Sequence, residues 1–134
     1  MHLGDLSDIN ESVLMFQDVV RLTPDGHPSK PVYLKSLGIS LCRRFEQLGD
    51  LSDLNESVLR LQDAMRLTLD GYPDKASILG YLGHSHSHHF EQLGDLSDLH
   101  ESVLMLQDAV RLTPDGHPDK PSRLSNLGHL LSHH

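Results

Sequence analysis

The chain has 134 residues, enough for one domain of ordinary size, but only 4% of them are aromatic, which disfavours a globule built around one aromatic core. Its formal charge of −8 argues against broad nucleic-acid binding, because that function needs a basic face to neutralise phosphates. With a single cysteine, Cys42, no intrachain disulfide can form. The sequence contains neither a membrane-spanning apolar run nor a secretory signal, so we expect a cytoplasmic protein.

A five-residue motif, Gly-Asp-Leu-Ser-Asp, occurs three times at a fixed interval of 45 residues. It begins at Gly4, Gly49 and Gly94. A constant period of roughly 20–50 residues is typical of solenoids and other arrays, in which each unit packs against its neighbours. We therefore expect one solenoid over residues 1–134, with units at about 4–48, 49–93 and 94–134.

The predicted elements are helices, which we name B and A in the order in which each unit presents them. The first B helix carries apolar residues three or four positions apart, the spacing of one helix face: Leu6, Ile9, Val13, Phe16 and Val20. The first A helix contains Gly38, and the second B helix follows the turn at Gly49. The second A helix is expected from about Asp74 to Leu93.

The third B helix is the most clearly delimited element. Asp95 is suited to its N-cap, and Arg111 places positive charge in its last turn. Pro114 and Gly116 should end it, because proline cannot continue a helix and glycine tolerates a positive φ. The third A helix begins near Asp119. Since no segment shows the alternation of a strand, we predict an all-α fold, an α-solenoid of antiparallel helix pairs with six helices in the order B-A-B-A-B-A.

The units resemble the tetratricopeptide repeat at the following positions: Leu124, Leu127 and Gly128 of helix A, the Gly-Asp turn, and Ser102, Leu106, Ala109 and Pro114 of helix B. Ordinary units of that family have about 34 residues, so the units of this chain are longer. They are similar to the long tetratricopeptide-like arrays of fungal multidomain proteins. The resemblance implies a scaffold without catalysis, which binds a protein or peptide through a concave face formed by the A helices.

The resemblance also implies which A-helix residues line that concave face. They are Lys35, Ile39, Cys42 and Arg43 in the first unit, Gly80, His84, Ser87 and His88 in the second, and Ser125, His129, Ser132 and His133 in the third. These residues are neutral or basic, whereas the acidic residues fall mainly on the B helices. An acidic partner is therefore favoured.

Two pairs of histidines in the A helices are candidate ligands for a divalent metal ion. His84 and His88 are four residues apart, as are His129 and His133, so each pair shares one helix face. Imidazole suits zinc, copper and nickel, and the two pairs could form a histidine-lined wall on adjacent units. The alternative is a solvated, partly basic groove without an ion, because no cysteine or carboxylate completes a tetrahedral set. A pH-responsive binder is a further alternative, since histidine titrates near neutrality.

No catalytic constellation stands out in the sequence, and we expect no enzymatic activity. Cys42 has no histidine and acid in a recognised arrangement, so we interpret it as a partly exposed packing thiol. The acidic residues recur in every unit, as helix caps and exposed faces would. His86 stands where the other units have Leu41 and Leu131, and we expect it to be a neutral core histidine with one hydrogen bond.

The helix order predicts two open apolar surfaces. The sequence opens on a B helix and closes on an A helix, so we expect outward-facing residues at both ends: Leu6, Ile9, Val13, Phe16 and Val20 at one, Leu124, Leu127 and Leu131 at the other. Because equivalent surfaces meet inside the chain, the two ends of different copies should bind each other head to tail and form a homo-oligomer. If the rotation from one copy to the next does not close a ring, the product is a filament. The alternative is a fragment of a longer array.

Overall fold

A computed structural model describes residues 3–69, 72 and 74–132 of the chain, with side chains from residue 8 onward. Six α-helices form in these ranges: α1 (Leu3–Leu22), α2 (Lys30–Leu48), α3 (Leu51–Arg66), α4 (Asp74–Leu93), α5 (Leu96–Arg111) and α6 (Lys120–Leu131). These residues contain no strand, so the all-α prediction is confirmed. The helices α1, α3 and α5 are B helices, and α2, α4 and α6 are A helices. None of the six is long and apolar enough to span a membrane.

The helices form two compact units, Met1–Thr68 and Leu69–His134. In the first unit α2 packs against both α1 and α3, and in the second α5 packs against both α4 and α6. Each unit has its own apolar cluster: Val13, Leu37 and Leu41 in the first, and Leu99, Val103, Leu106 and Leu130 in the second. One continuous solenoid over residues 1–134 stays a prediction.

The A helices α2 and α4 each contact the following B helix through a glycine. A Cβ atom on Gly38 would lie 2.6 Å from Cγ of Leu61, and one on Gly83 would lie 2.8 Å from Cγ of Leu106. Next to each glycine, a buried serine of the B helix donates a hydrogen bond to the glycine carbonyl oxygen, at 2.7 Å in both units: Ser57 to Gly38 and Ser102 to Gly83. The two A–B helix pairs are therefore held by the same contact at an interval of 45 residues.

The N-termini of α3 and α5 are capped by aspartates, as predicted for Asp95. The Asp50 carboxylate accepts hydrogen bonds from the backbone N–H of Ser52 at 3.0 Å and from its hydroxyl at 2.8 Å, and Asp95 accepts the same pair from Ser97. These bonds hold the pKa of both carboxyls below the usual value. The Ser52 hydroxyl contributes most for Asp50, and the Ser97 backbone N–H contributes most for Asp95.

The left-handed glycines lie after the A helices, not after the B helices as the prediction for Gly116 required. Gly49 has φ 74° and Gly94 has φ 70°, and each donates its backbone N–H to a phenylalanine carbonyl four residues back, at 2.7 Å. Among the described residues no other glycine has a positive φ. The prediction for Gly116 was wrong because the end of α5 is satisfied in another way.

Lysine side chains cap the C-termini of the B helices α1 and α5. The Lys120 ammonium donates to the carbonyl oxygens of Val110 at 2.8 Å and Thr113 at 2.7 Å. Lys30 does the same at the end of α1. A positive charge at this end also complements the helix dipole. With these carbonyls bound, the chain can leave the helix without a left-handed residue.

Candidate functional site

The predicted groove residues of the first unit lie along α2. Lys35 and Ile39 are half-buried and Arg43 is exposed. Cys42 is buried, at 5% exposure, so the expectation of a partly exposed thiol was wrong. Its helix also buries the neighbouring Leu41 and, one turn further on, Phe45.

In the second unit, a pocket of about 270 Å³ lies between the two A helices, α4 and α6. Gly80 and His84 were both predicted to line the groove, and both line this pocket. The other lining residues were not predicted: Ser77, Tyr81, Leu106, Asp119, Ser122, Arg123 and Asn126. Half-buried Ser87 and His88 on α4, and exposed Ser125, His129 and Ser132 on α6, do not line it. The residues of α6 that line the pocket are Ser122, Arg123 and Asn126.

Arg123 is the cation of this pocket, and its charge is already paired. Its Nη1 donates to the Thr113 hydroxyl at 2.7 Å, and its Nη2 lies 3.6 Å from a carboxylate oxygen of Asp119. Its Nε lies 3.5 Å from the point that a Cβ atom on Gly80 would occupy, so the guanidinium lies across that glycine. The pocket is thus polar without a net charge from this pair, and it does not itself favour an acidic ligand.

The histidine pair predicted on α4 is present. The Nε2 atoms of His84 and His88 are 3.2 Å apart, and the two rings meet edge to face with centroids 4.5 Å apart. On its other side, Nδ1 of His88 lies 3.7 Å from a carboxylate oxygen of Glu91. The second predicted pair is not brought to this place: His129 is exposed on α6 and belongs to no metal-type cluster of the described residues. His133 lies outside those residues.

Two other histidines of α4 bind one half-buried aspartate of α5. Nδ1 of His86 lies 3.1 Å from Oδ1 of Asp98, and Nδ1 of His89 lies 2.8 Å from Oδ2. His86 is buried, as expected for a core histidine with a hydrogen-bond partner. The sequence predicted Asp98 only as negative charge in the first turn of its helix, and this contact with His86 and His89 was not predicted.

In the first unit an arginine makes the equivalent contact. Arg44 stands 45 residues before His89, and Asp53 stands 45 residues before Asp98. The guanidinium of Arg44 donates from Nε to Oδ2 of Asp53 at 2.9 Å and from Nη2 to Oδ1 at 2.8 Å. The hydrogen bond to Asp53 raises the pKa of Arg44. The recurrence of an aspartate opposite a cation or a histidine was the sequence signal that could have revealed this contact.

The apolar stripe of α1 does not face outward as predicted. Val13 is 0% exposed and forms a cluster with Leu37 and Leu41 of α2, and Phe16 and Val20 pack against that cluster. The prediction failed because part of the apolar stripe of α1 packs against α2, the A helix that follows it. Ile9 is half-buried, and the side chain of Leu6 lies outside the described residues.

The predicted apolar face of α6 is open in part. Leu124 is 48% exposed and Leu131 is 45% exposed, whereas Leu127 is half-buried against the cluster of the second unit. At the equivalent positions of α2, Leu34 and Leu41 are buried, at 3% and 1%. A Cβ atom on Gly128 would meet none of the described residues within 4 Å, in contrast to one on Gly38 or Gly83.

The chain matches no protein-family model, and a search of the curated proteins finds no match. The resemblance to the tetratricopeptide repeat therefore depends on the residues of the chain itself.

Proposed function

We propose that this chain is a tetratricopeptide-like interaction module of the cytoplasm, without catalytic activity, that binds a segment of a partner protein through its A helices. The observation that carries the proposal is the pocket between α4 and α6, which is lined from both A helices by side chains able to hydrogen-bond. Concave sites with a few convergent polar groups are the usual places for ligands.

The serine and the glycine that pack the helices together are the same in the repeats, whereas the residues that line the A-helix face differ, and this contrast supports the proposal. The Ser–Gly contact is the same in both units. The position of Gly80, by contrast, is Lys35 in the first repeat and Ser125 in the third. A fold with fixed internal contacts and varied surface residues is suited to recognition, because the surface can change without changing the packing.

Filling the pocket tests the proposal. A randomised peptide library displayed on phage is panned against the chain, and the affinity of the selected peptides is measured by fluorescence anisotropy. Gly80→Lys introduces the residue of the first repeat, which α2 accommodates, and should abolish binding by occupying the pocket. Leu104→Lys, at an exposed site on α5, is the matched control and should bind as the parent does. Selected peptides that bind the Gly80→Lys chain equally well would contradict a site in this pocket.

A second function, head-to-tail self-association, is favoured by the open face of α6. In the second unit, Leu79 and Leu82 of α4 are buried, and Gly83 of the same helix is covered by Leu106 of α5. The equivalent residues of α6, Leu124 and Leu127, are respectively exposed and half-buried. The natural occupant of this face is a B helix, and we propose α1 of a second copy of the chain.

The residues of α1 fit that role in register. Ile9, Ser12 and Phe16 are equivalent to Leu54, Ser57 and Leu61 of α3, which are fully buried. On α1 the three are only partly buried. Docked in the same register, Phe16 would meet Gly128 as Leu61 meets Gly38. The Ser12 hydroxyl would then reach the Gly128 carbonyl.

Two variants that each block one surface separate this contact from other kinds of association. Leu131→Asp blocks the face of α6, and Ile9→Asp blocks the face of α1. In sedimentation velocity over a range of concentrations, each variant alone should be monomeric, whereas an equimolar mixture should form a 1:1 dimer through the two intact surfaces. Leu14→Asp, at a residue 62% exposed on the other side of α1, is the control and should associate like the parent. A parent chain that is monomeric throughout would exclude this function.

A further inference from the structure

The side chains of His84 and His88 have the separation of two ligands on one metal ion. Zinc–imidazole bonds are about 2.0–2.1 Å long, so two nitrogens bound to one ion at right-angle to tetrahedral geometry lie about 2.9–3.4 Å apart. The two Nε2 atoms are 3.2 Å apart. Both belong to one helix, four residues apart, so the backbone of α4 fixes their spacing before any ion arrives.

The surroundings of the pair suit the tautomers that metal binding requires. Neutral imidazole coordinates through Nε2 when its proton is on Nδ1, and a carboxylate near Nδ1 favours that form. Glu91 places a carboxylate oxygen 3.7 Å from Nδ1 of His88. In the absence of an ion, two neighbouring Nε2 atoms can share one proton in a hydrogen bond, and the ion would take the place of that proton.

The pair also has access to further ligands. His84 lines the pocket between α4 and α6, which has room for water molecules on an ion with incomplete protein ligation. The neighbouring His86 and His89 direct Nδ1 to Asp98 instead, so they are engaged in the contact between α4 and α5.

We propose that His84 and His88 form a two-histidine site for a divalent transition-metal ion, with Cu²⁺ bound most tightly and Ni²⁺ and Zn²⁺ more weakly. The order follows from the intrinsic preference of nitrogen ligands among first-row metals. Water completes the coordination. The proposed site requires only the pair on α4, and it can be tested without a peptide ligand of the pocket.

Copper titration of the chain tests the site. The parent chain should bind one Cu²⁺ ion tightly, with an electron paramagnetic resonance spectrum that shows nitrogen ligation, and should bind Ni²⁺ more weakly in calorimetry. His84→Ile and His88→Arg introduce the residues found at the equivalent positions of α2, Ile39 and Arg43, so the helix should remain folded. Each should lower the Cu²⁺ affinity about tenfold or more, since loss of an outer-shell partner alone costs about 10–100-fold.

The chain has eleven histidines, so the control must distinguish this pair from scattered weak sites. His129→Ala removes an exposed histidine of α6 and should leave the tight site and its spectrum unchanged. Circular dichroism confirms that each variant is folded. If the double variant His84→Ile, His88→Arg binds Cu²⁺ as tightly as the parent chain, or if the parent chain shows only weak sites that His129→Ala reduces, the assignment is wrong.

Discussion

The glycines of the A helices are chemically identical but differ in what surrounds them. A Cβ atom on Gly38 or Gly83 would lie under 3 Å from a buried leucine of the next B helix, whereas one on Gly80 would make ordinary contact with Arg123 at 3.5 Å. Each glycine costs its helix about 0.5–1 kcal/mol relative to alanine. Whether an alanine substitution stabilises or destabilises the chain therefore depends on the side chain that lies next to the glycine.

We expect Gly80→Ala to raise the free energy of unfolding by about 0.5–1 kcal/mol, because alanine favours the helix and the space is available. Gly38→Ala and Gly83→Ala should lower it, because the added methyl group overpacks the contact by about 1–3 kcal/mol. Urea denaturation followed by circular dichroism measures all three. A stabilised Gly83→Ala chain would show that α4 and α5 are not as close as described.

The aspartate caps at Asp50 and Asp95 predict how stability depends on acid. Their pKa values are lowered in the folded chain, so the unfolded chain binds protons at a higher pH than the folded chain does. The stability that they add is complete above the ordinary aspartate pKa of about 4 and is lost as the pH falls through the lower folded value.

Asn is also a good N-cap but does not titrate. The double variant Asp50→Asn, Asp95→Asn should therefore keep its helices at neutral pH and show a flatter dependence of the urea midpoint on pH in the acid range than the parent chain. Asp25→Asn, an exposed aspartate that caps no helix, is the control. An unchanged acid profile in the double variant would mean that other carboxylates dominate the response.

Between helices, the two units use different chemistry for the same contact. Asp53 is held by one guanidinium through two hydrogen bonds, and Asp98 is held by two imidazoles with one bond each. Hydrogen bonds to charged groups contribute about 1.5–3 kcal/mol, and a bidentate arginine keeps its charge at any physiological pH.

Exchanging the partners tests this difference. The variant His86→Leu, His89→Arg gives α4 the residues of Leu41 and Arg44, and it should be more stable than the parent chain, because a guanidinium binds a carboxylate through two parallel hydrogen bonds. Asp98→Asn should then lower the free energy of unfolding more in the exchanged chain than in the parent chain, because it removes the carboxylate of a bidentate arginine pair. Urea denaturation of the four chains forms a double-mutant cycle. Equal costs in both backgrounds would show that His86 and His89 already bind Asp98 as strongly as arginine does.

The helices were predictable from the sequence because the signals for them are local. The apolar spacing, Asp95 as a cap and the 45-residue period predicted the helix order and the bounds of α4. The contacts that depend on distant side chains were not predictable in the same way. The capping of α5 by Lys120 removed the need for a left-handed Gly116. The histidine pair on α4 was predictable because a spacing of four residues places two side chains on one helix face. The pocket residues of α6 were not predictable, because the sequence does not determine how that helix is rotated about its axis relative to α4.

At the scale of the whole molecule, the two compact units should respond separately to damage in their cores. Leu61 and Leu106 occupy equivalent positions and are 0% and 1% exposed. Replacing a fully buried leucine by alanine costs about 2–5 kcal/mol. In an array with nearest-neighbour contacts the loss should be concentrated in the unit that contains the substitution.

Hydrogen exchange measures this directly. Leu106→Ala should accelerate amide exchange mainly in α4 to α6, and Leu61→Ala mainly in α1 to α3. The two variants are controls for each other, since they make the same chemical change against the same glycine contact. Uniform acceleration across residues 8–132 in both variants would instead indicate a single cooperative unit.

Because the surroundings of Gly128 are open, one substitution there can change the stability of the monomer and the strength of the dimer in opposite directions. Among the residues that the structure describes, no neighbour requires a glycine there, so a methyl group should stabilise α6. In a docked pair the same methyl group would lie where Phe16 of the second copy must fit. Gly128→Ala should thus raise the melting temperature of the monomer and weaken the dimer at once, so that thermal stability and oligomer yield change in opposite directions.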